Sequence, residues 1–296
     1  MTSDAPKRTS RLWLYIPFLI FAVLIAAYSA YWFWMRGELD KGIDQWIADE
    51  RARGIQIEYA SKALEGFPYR FVLKVGEPRI ADPGSGLEWS GQDLQLIMQP
   101  WNFNHVIGRS PGRNALILRG AEPVTAILGP KSVASITWDE TSVQRFAVSL
   151  DEANIVTGQG PVSLEELMLN VGTIDSDPSK VRLAVDAETI SIPEAPPEAP
   201  WLGEDIDDLR LRVELANAPN YFLQRTDLAS TLLPTSTLDL AQFVLSWGPL
   251  QLGAKGNVSL PYDTCTPGGV INVRLENTDP LVQALDEAGQ LTAEIE

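Results

Sequence analysis

The sequence predicts a mainly β protein: an N-terminal transmembrane helix followed by a curved antiparallel β-sheet or sandwich with a few short amphipathic helices. Three observations carry that expectation. Residues 12–34 form a long uncharged apolar stretch, many later segments alternate apolar with polar residues, and clusters of Gly, Pro, Asn, Asp and Ser separate those segments. A period of two places one face of a strand against apolar surroundings and the other in water, and turn residues between such runs reverse the chain.

The apolar stretch comes first. Its Leu, Ile, Phe and Val side chains, at about 0.3–0.6 kcal/mol each near a helix centre, favour insertion by roughly 3–7 kcal/mol, more than Pro17 or Ser29 cancels. A cleaved signal peptide is the competing reading, with Ala27-Tyr28-Ser29 as a small-x-small site. The run is longer than a signal core, however, and ends in Tyr31, Trp32, Phe33 and Trp34, an aromatic cluster suited to the far membrane interface. Lys7, Arg8 and Arg11 precede it, whereas Arg36 and Lys41 are mixed with Glu38, Asp40 and Asp44. The expectation is a single-pass inner-membrane anchor with a cytoplasmic N-terminus and a periplasmic C-terminal domain.

The exported part is strongly acidic. Of the 23 basic residues Lys7, Arg8, Arg11 and Arg36 precede Gly37, against Asp4 alone of the 39 acidic ones, so this part is more negative than the chain's net −16. Such a surface repels phosphate backbones, so nucleic acid is not an expected partner. Cys265 is the one cysteine, so an intrachain disulfide is excluded, and without a basic neighbour in sequence it reads as a turn residue rather than a reactive thiol.

After the anchor, Leu39, Ile43, Trp46 and Ile47 recur at helical spacing, Arg51 and Arg53 favour a helix C-terminus, and Gly54 supplies the stop. From Ile55 the period changes to two. Residues 55–59, 69–75, 181–186, 209–215 and 270–275 alternate clearly, and 94–98, 115–118, 124–128, 134–138, 146–150, 243–247 and 250–260 are further strand candidates. Turn chemistry falls at 82–86, 110–112, 158–161 and 175–178. Residues 193–200, PEAPPEAP, read as an extended polyproline segment, either a linker or a crossing over a sheet edge. Near the end Asp279 caps a helix with Pro280 in its first turn, Leu281, Val282 and Leu285 along one side and Gly289 as terminator, before a strand over 291–295. The order helix, glycine, strand echoes residues 39–59 as a weak internal repeat.

The stretch LEGFPYRFVLKV at residues 64–75 places a break directly before an alternating run. Gly66 permits a positive φ, Pro68 fixes its own φ and biases Phe67 towards extended geometry, and Tyr69 and Arg70 lead into the strand. Residues Gly66, Phe67, Pro68, Tyr69 and Arg70 therefore read as a structural corner, with an exposed aromatic interaction tip as the alternative.

Catalytic motifs are weak. Gly108-Arg109-Ser110-Pro111-Gly112 satisfies G-x-S-x-G with His105, the one histidine, nearby. A hydrolase elbow needs the backbone N–H of the residue after the serine, which Pro111 lacks, so a solvent turn is expected. One histidine and one cysteine exclude nitrogen or sulfur zinc sites. The acidic runs Glu204, Asp205, Asp207, Asp208 and Asp175, Asp177 lack the glycine and terminal glutamate of a calcium loop and read as solvated. No catalytic residue, metal ligand or cofactor is assigned.

Several segments together resemble a known family: residues 32–37, 39–46, GFPYRF at 66–71, PWNFNHVIGRSPG at 100–112, SWGPLQLGAKG at 246–256 and GGVINVRLENTDPLVQALDEAG at 268–289. They resemble the bacterial envelope family known as domain of unknown function 2125, which implies a membrane-anchored exported protein and no particular chemistry. More distantly, the plan is similar to AsmA-like envelope proteins, a resemblance that implies lipid homeostasis, although this chain is short and lacks many-fold repeats.

The expected organisation is a cytoplasmic N-terminus over 1–11, an anchor over 12–34, an exported β-rich region over 37–192, a Pro-rich linker or crossing over 193–200, and a β-rich region over 201–296 continuous with the first. The expected role is a non-enzymatic envelope binding or interaction module whose partners are the inner membrane through residues 12–34 and a lipid acyl chain or another envelope protein. A carboxylate-pair hydrolase and a purely structural scaffold are the alternatives.

Overall fold

A computed structural model of the chain describes residues 12–120, 122–140, 143–174, 177–216, 235–261 and 268–290. Helix α1 (Leu12–Ala52) unites the apolar stretch and the amphipathic segment in one 41-residue rod. Its end follows local chemistry: Gly54 has φ +93°, and the N–H of Ile55 reaches back to the Glu50 carbonyl at 3.1 Å. Arg51 donates through Nε to the Ile57 carbonyl at 3.1 Å and so ties the helix end to the first strand.

Among the described residues the remainder is mainly strand, and every pairing is antiparallel within one curved 18-stranded sheet. The first strands are β1 (Gln56–Glu58), β2 (Ser61–Glu65), β3 (Phe71–Gly76), β4 (Arg79–Asp82), β5 (Leu87–Gly91), β6 (Asp93–Gln99), β7 (Asn102–Ser110), β8 (Asn114–Leu118), β9 (Val124–Leu128), β10 (Ser132–Trp138), β11 (Val143–Leu150) and β12 (Ala153–Thr157). Five longer ones follow, β13 (Gly160–Ile174), β14 (Asp177–Ser191), β15 (Asp205–Ala216), β16 (Thr235–Trp247) and β17 (Leu250–Pro261), and then β18 (Gly268–Glu276). Helix α2 (Thr278–Glu287) closes the described chain.

A crease organises the sheet. β3 with β4, β5 with β6, β7 with β8, β9 with β10 and β11 with β12 are halves of single long paths, each interrupted for one to three residues. One set of halves pairs in the order β2, β3, β6, β7, β10, β11 and the other in the order β1, β4, β5, β8, β9, β12. Both sets join β13, which pairs with β12 through residues 160–164 and with β11 through 167–172. Hydrogen bonds continue across the interruption, from Glu77 N–H to the Gln92 carbonyl at 2.8 Å and from Gly129 N–H to the Glu152 carbonyl at 2.7 Å. The longer strands pass through unbroken, with Thr189 at φ +48° in β14 and a register shift between Ile206 and Asp208 in β15.

The crease preserves sidedness. Leu245 and Trp247 lie two apart on β16 and so share a face, and their partners Leu209 and Ile206 lie three apart on β15. The extra residue at the bulge keeps both on that face.

Hairpin turns alternate between two rims. Residues 66–70 and 100–101 turn at one, here the near rim; 83–86, 158–159 and 248–249 turn at the far rim. The Pro-rich segment 193–200 joins β14 to β15, which are hydrogen-bonded neighbours, so it crosses at the far rim of one sheet. Helix α2 starts two residues earlier than capping by Asp279 requires: Asn277 is the cap residue at φ +50°, with no side-chain capping bond, and Asp279 lies in the first turn. The expected strand 291–295 and Cys265 lie outside the described residues.

Candidate functional site

The first sheet rows are packed under α1. Trp32, Leu64, Phe71 and Leu73 form a buried cluster joined by Met35, Leu39, Ile43, Val75, Leu96 and Phe103. Positions 32, 35, 39, 43 and 47 line one helix face, as helical periodicity requires. The Trp32 ring stacks on Phe71 at 5.0 Å between centroids and meets Phe67 edge-on at 5.3 Å. Trp32 is 2% exposed, which corrects its expected place at a lipid interface. Trp46, expected on the packed face, is exposed.

Residues 66–70 sit against this helix face. Gly66 takes φ +109°, and a Cβ there would lie 2.5 Å from the Arg70 carbonyl oxygen, so the bend requires glycine. Arg70 N–H donates to the Gly66 carbonyl at 3.2 Å, and the Phe67–Pro68 peptide is cis. Phe67 stacks on Phe33 at 5.4 Å, while the Tyr28 hydroxyl donates to the Pro68 carbonyl. Arg36 Nε donates to the Leu64 carbonyl at 2.9 Å. Tyr69 and Arg70 themselves are exposed.

Lys62 on β2 bridges to Asp40, at 2.9 Å, and Asp44 on α1. Burial opposes its charged form, but the hydrogen bonds it donates to the two carboxylates outweigh it and hold the ammonium above its ordinary range.

Beyond the helix the same face continues as apolar rows. One runs Phe71, Met98, Val106, Ile136, Phe146, Val171, Leu183, Val213 and Leu240 across successive strands to Gly256 and Ile271. A second, starting from Leu64 and Leu73, passes Val148, Leu169, Val185, Leu211 and Phe243 to Ala254 and Val273. On β14 and β15 the other face is polar: Arg212 holds Asp186 through two bonds of 2.7 and 2.8 Å, and Arg182 holds Glu214 at 2.6 Å. One face of the sheet is therefore apolar from the helix to the last strand.

That face is not a packed interior along its length. Among the described residues the large side chains buried completely are Trp32, Phe71 and Asn114, all in the β2 to β8 region. Farther along, Phe146, Leu169, Leu183, Leu211 and Phe243 are half-buried, and the buried positions on this face of β14 and β17 are small, Ala187 and Ala254. Strand β18 is exposed throughout.

The G-x-S-x-G segment lies at the crease. Ser110 is buried, its hydroxyl within donating reach of the Asp93 carbonyl at 2.7 Å and of Asn114 Oδ1, which corrects the expected solvent turn. Asn114 returns bonds to the Ser110 and Gly112 carbonyls at 3.2 and 3.1 Å. His105 is five residues away in the regular β7 to β10 register and therefore points from the opposite face.

Of the acidic runs, Asp205 accepts from Ser191 Oγ at 2.6 Å, Asp208 from Arg210 Nε at 3.0 Å and Asp177 from Ser179 Oγ at 2.6 Å. The described residues contain no His, Cys, Asp and Glu grouping able to hold a metal. At the far rim a depression of about 540 Å³ is lined by Arg79, Asp82, Glu88 and Arg119, among others. Both arginines pair with Glu88 at 2.8 Å, and their hydrogen bonds, Arg119 first, hold its carboxyl below the usual carboxylate range.

The family described as an uncharacterized protein conserved in bacteria (DUF2125) matches residues 32–296, from the helix cluster to the end of the chain. The chain belongs to DUF2125. No solved structure matches it. The family match begins at Trp32, the residue that closes the sheet onto α1, so the matched DUF2125 region includes that junction.

The apolar rows were missed as a unit in the sequence, because β13 was not read as a strand. Leu164 and Leu167 straddle the crease three residues apart, which breaks the period-two signal, and the alternation from 167 to 171 was the part that could have revealed it.

Proposed function

We propose that this DUF2125 chain is a membrane-anchored, non-enzymatic binding module of the cell envelope. In this reading α1 keeps its apolar segment in the inner membrane, the N-terminus stays cytoplasmic and the sheet stands in the periplasm, where its apolar face receives a lipid acyl chain. Support for the anchor is that α1 is long and apolar enough to cross a bilayer. The observation that carries the binding reading is the half-burial of Phe146, Leu169, Leu211 and Phe243 on a face apolar across the whole sheet. A soluble domain that needed this face only as a core would bury those side chains, at about 1.5–3 kcal/mol each.

The test is native mass spectrometry of the detergent-extracted full chain, with photo-crosslinking to a diazirine fatty acid. Co-purifying lipid and crosslinks at Leu169, Leu211 and Phe243 are expected; a consistently lipid-free chain without crosslinks on that face sinks the reading.

One observation favours a second reading, a scaffold for another envelope protein. Among the described residues β18 pairs with β17 alone, with Val270, Ile271, Val273 and Leu275 uncovered, an arrangement suited to strand addition. Crosslinks to protein at β18, with the face unlabelled by the lipid probe, would favour it. The hydrolase alternative needs two half-buried carboxylates converging in a cleft, whereas Glu88 faces two arginines.

A further inference from the structure

We infer that the near rim of the sheet, through the turn at residues 66–70 and the turn at 100–101, is seated in the bilayer interface beside α1. The inference rests on α1 spanning the membrane and is independent of what the apolar face binds.

The argument begins with axial level. A hydrocarbon core of about 30 Å takes about 20 helical residues at 1.5 Å each, so a span starting at the helix's first residue, Leu12, leaves the core near Tyr31. The first charge beyond is Arg36. The two near-rim turns are fixed to this level. Tyr28 donates to the Pro68 carbonyl, Tyr31 donates to the Pro100 carbonyl at 3.2 Å, and Phe67 stacks on Phe33. The pairing of Phe71 with Met98 places both turns at the same end of adjoining strands.

The residues following those two prolines are the exposed ones. Tyr69 is 75% and Trp101 65% exposed, Phe67 is 47% exposed, and Phe33 and Trp34 on the helix are uncovered at the same level. Locking the helix explains Phe67 and the two tyrosine hydroxyls, but it gives Tyr69 and Trp101 nothing to do. Tyr and Trp collect at membrane interfaces because a flat apolar ring with one polar atom suits a boundary between hydrocarbon and water. Arg70, exposed beside Tyr69, can pair with a headgroup phosphate. The occupant is the lipid interface of the bilayer that holds α1.

The experiment uses the full chain in phosphatidylcholine and phosphatidylglycerol vesicles, in a Cys265→Ser background. Tyr69→Cys, Trp101→Cys and, as a far-rim control, Ser85→Cys each carry an environment-sensitive fluorophore. Blue-shifted emission, several-fold stronger quenching by shallow doxyl lipids than at Ser85, and protection from aqueous iodide are expected at both near-rim sites. Quenching no stronger than at Ser85, in protein that resists alkaline carbonate extraction, overturns the seating while leaving the anchor intact. Release by carbonate overturns the anchor and the seating with it.

Discussion

The two ends of the sheet are built differently. At the α1 end, Trp32 and Phe71 stack out of water, Lys62 crosslinks strand to helix, and the face is closed. At the β18 end the same register rows end in Gly256, Ala254, Ile271 and Val273, small or exposed. The difference teaches that a single sheet can divide its labour: the helix supplies the second layer where stability is needed, and the remaining apolar area stays accessible.

Truncating the two ends should separate them. Phe71→Ala removes a completely buried ring and should cost about 3–5 kcal/mol, whereas Phe243→Ala on the half-buried face should cost less than about 2 kcal/mol. Denaturant melts of the detergent-solubilised chain read both, and equal losses would mean that the distal face is as closed as the proximal one. Next in size, Gly66→Ala forces a Cβ towards the Arg70 carbonyl at positive φ and should destabilise by about 1–3 kcal/mol. Its melting temperature should fall while that of an alanine at Gly158, which meets open space, should hardly move.

Smaller again is Tyr28→Phe. Losing the bond to the Pro68 carbonyl should cost about 0.5–1.5 kcal/mol and raise amide exchange in residues 66–70. An unchanged exchange pattern would show that aromatic stacking alone holds the turn.

The smallest effects are electrostatic and have opposite pH windows. The Glu88 carboxyl is lowered by its arginines, so its contribution is present above the ordinary carboxylate value and is lost as pH falls through the lowered one. Glu88→Gln should remove that acid limb from a melting profile. The Lys62 ammonium is raised, so its contribution is present below its ordinary value near 10.5 and is lost as pH rises through the raised one. Lys62→Met should flatten the alkaline limb, and a mutant that melts in parallel with the parent at all pH values would show the bridge to be idle.

Much of the fold was legible because anchors and half-wet strands have strong periodic signatures. Leu209 to Leu215 alternates without interruption and lies in β15 as expected. The crease was not legible, since the bulge at Asp207, the left-handed Thr189 and the breaks at Glu77 and Gln92 leave no common residue type. Short pieces such as β4 and β5 consequently escaped notice. Trp32 was misplaced for a different reason: an aromatic at the end of an apolar helix suits lipid and suits a protein core equally, and only its helical spacing to Met35, Leu39 and Ile43 favours the core. The bend at Gly66 and Pro68 was readable from local stereochemistry, but which helix turn it meets depends on contacts across some forty residues of chain.

Helix α1 runs without interruption from Phe18, just past Pro17, to Ala52, and the sheet is bolted to its second half. A rod of this kind, about 50 Å long at 1.5 Å per residue, has no joint at the water boundary. In the proposed membrane-anchored reading, any lean that the span adopts to match a thinner or thicker bilayer would swing the sheet through the same angle. Membrane thickness would then set the direction in which the apolar face is aimed.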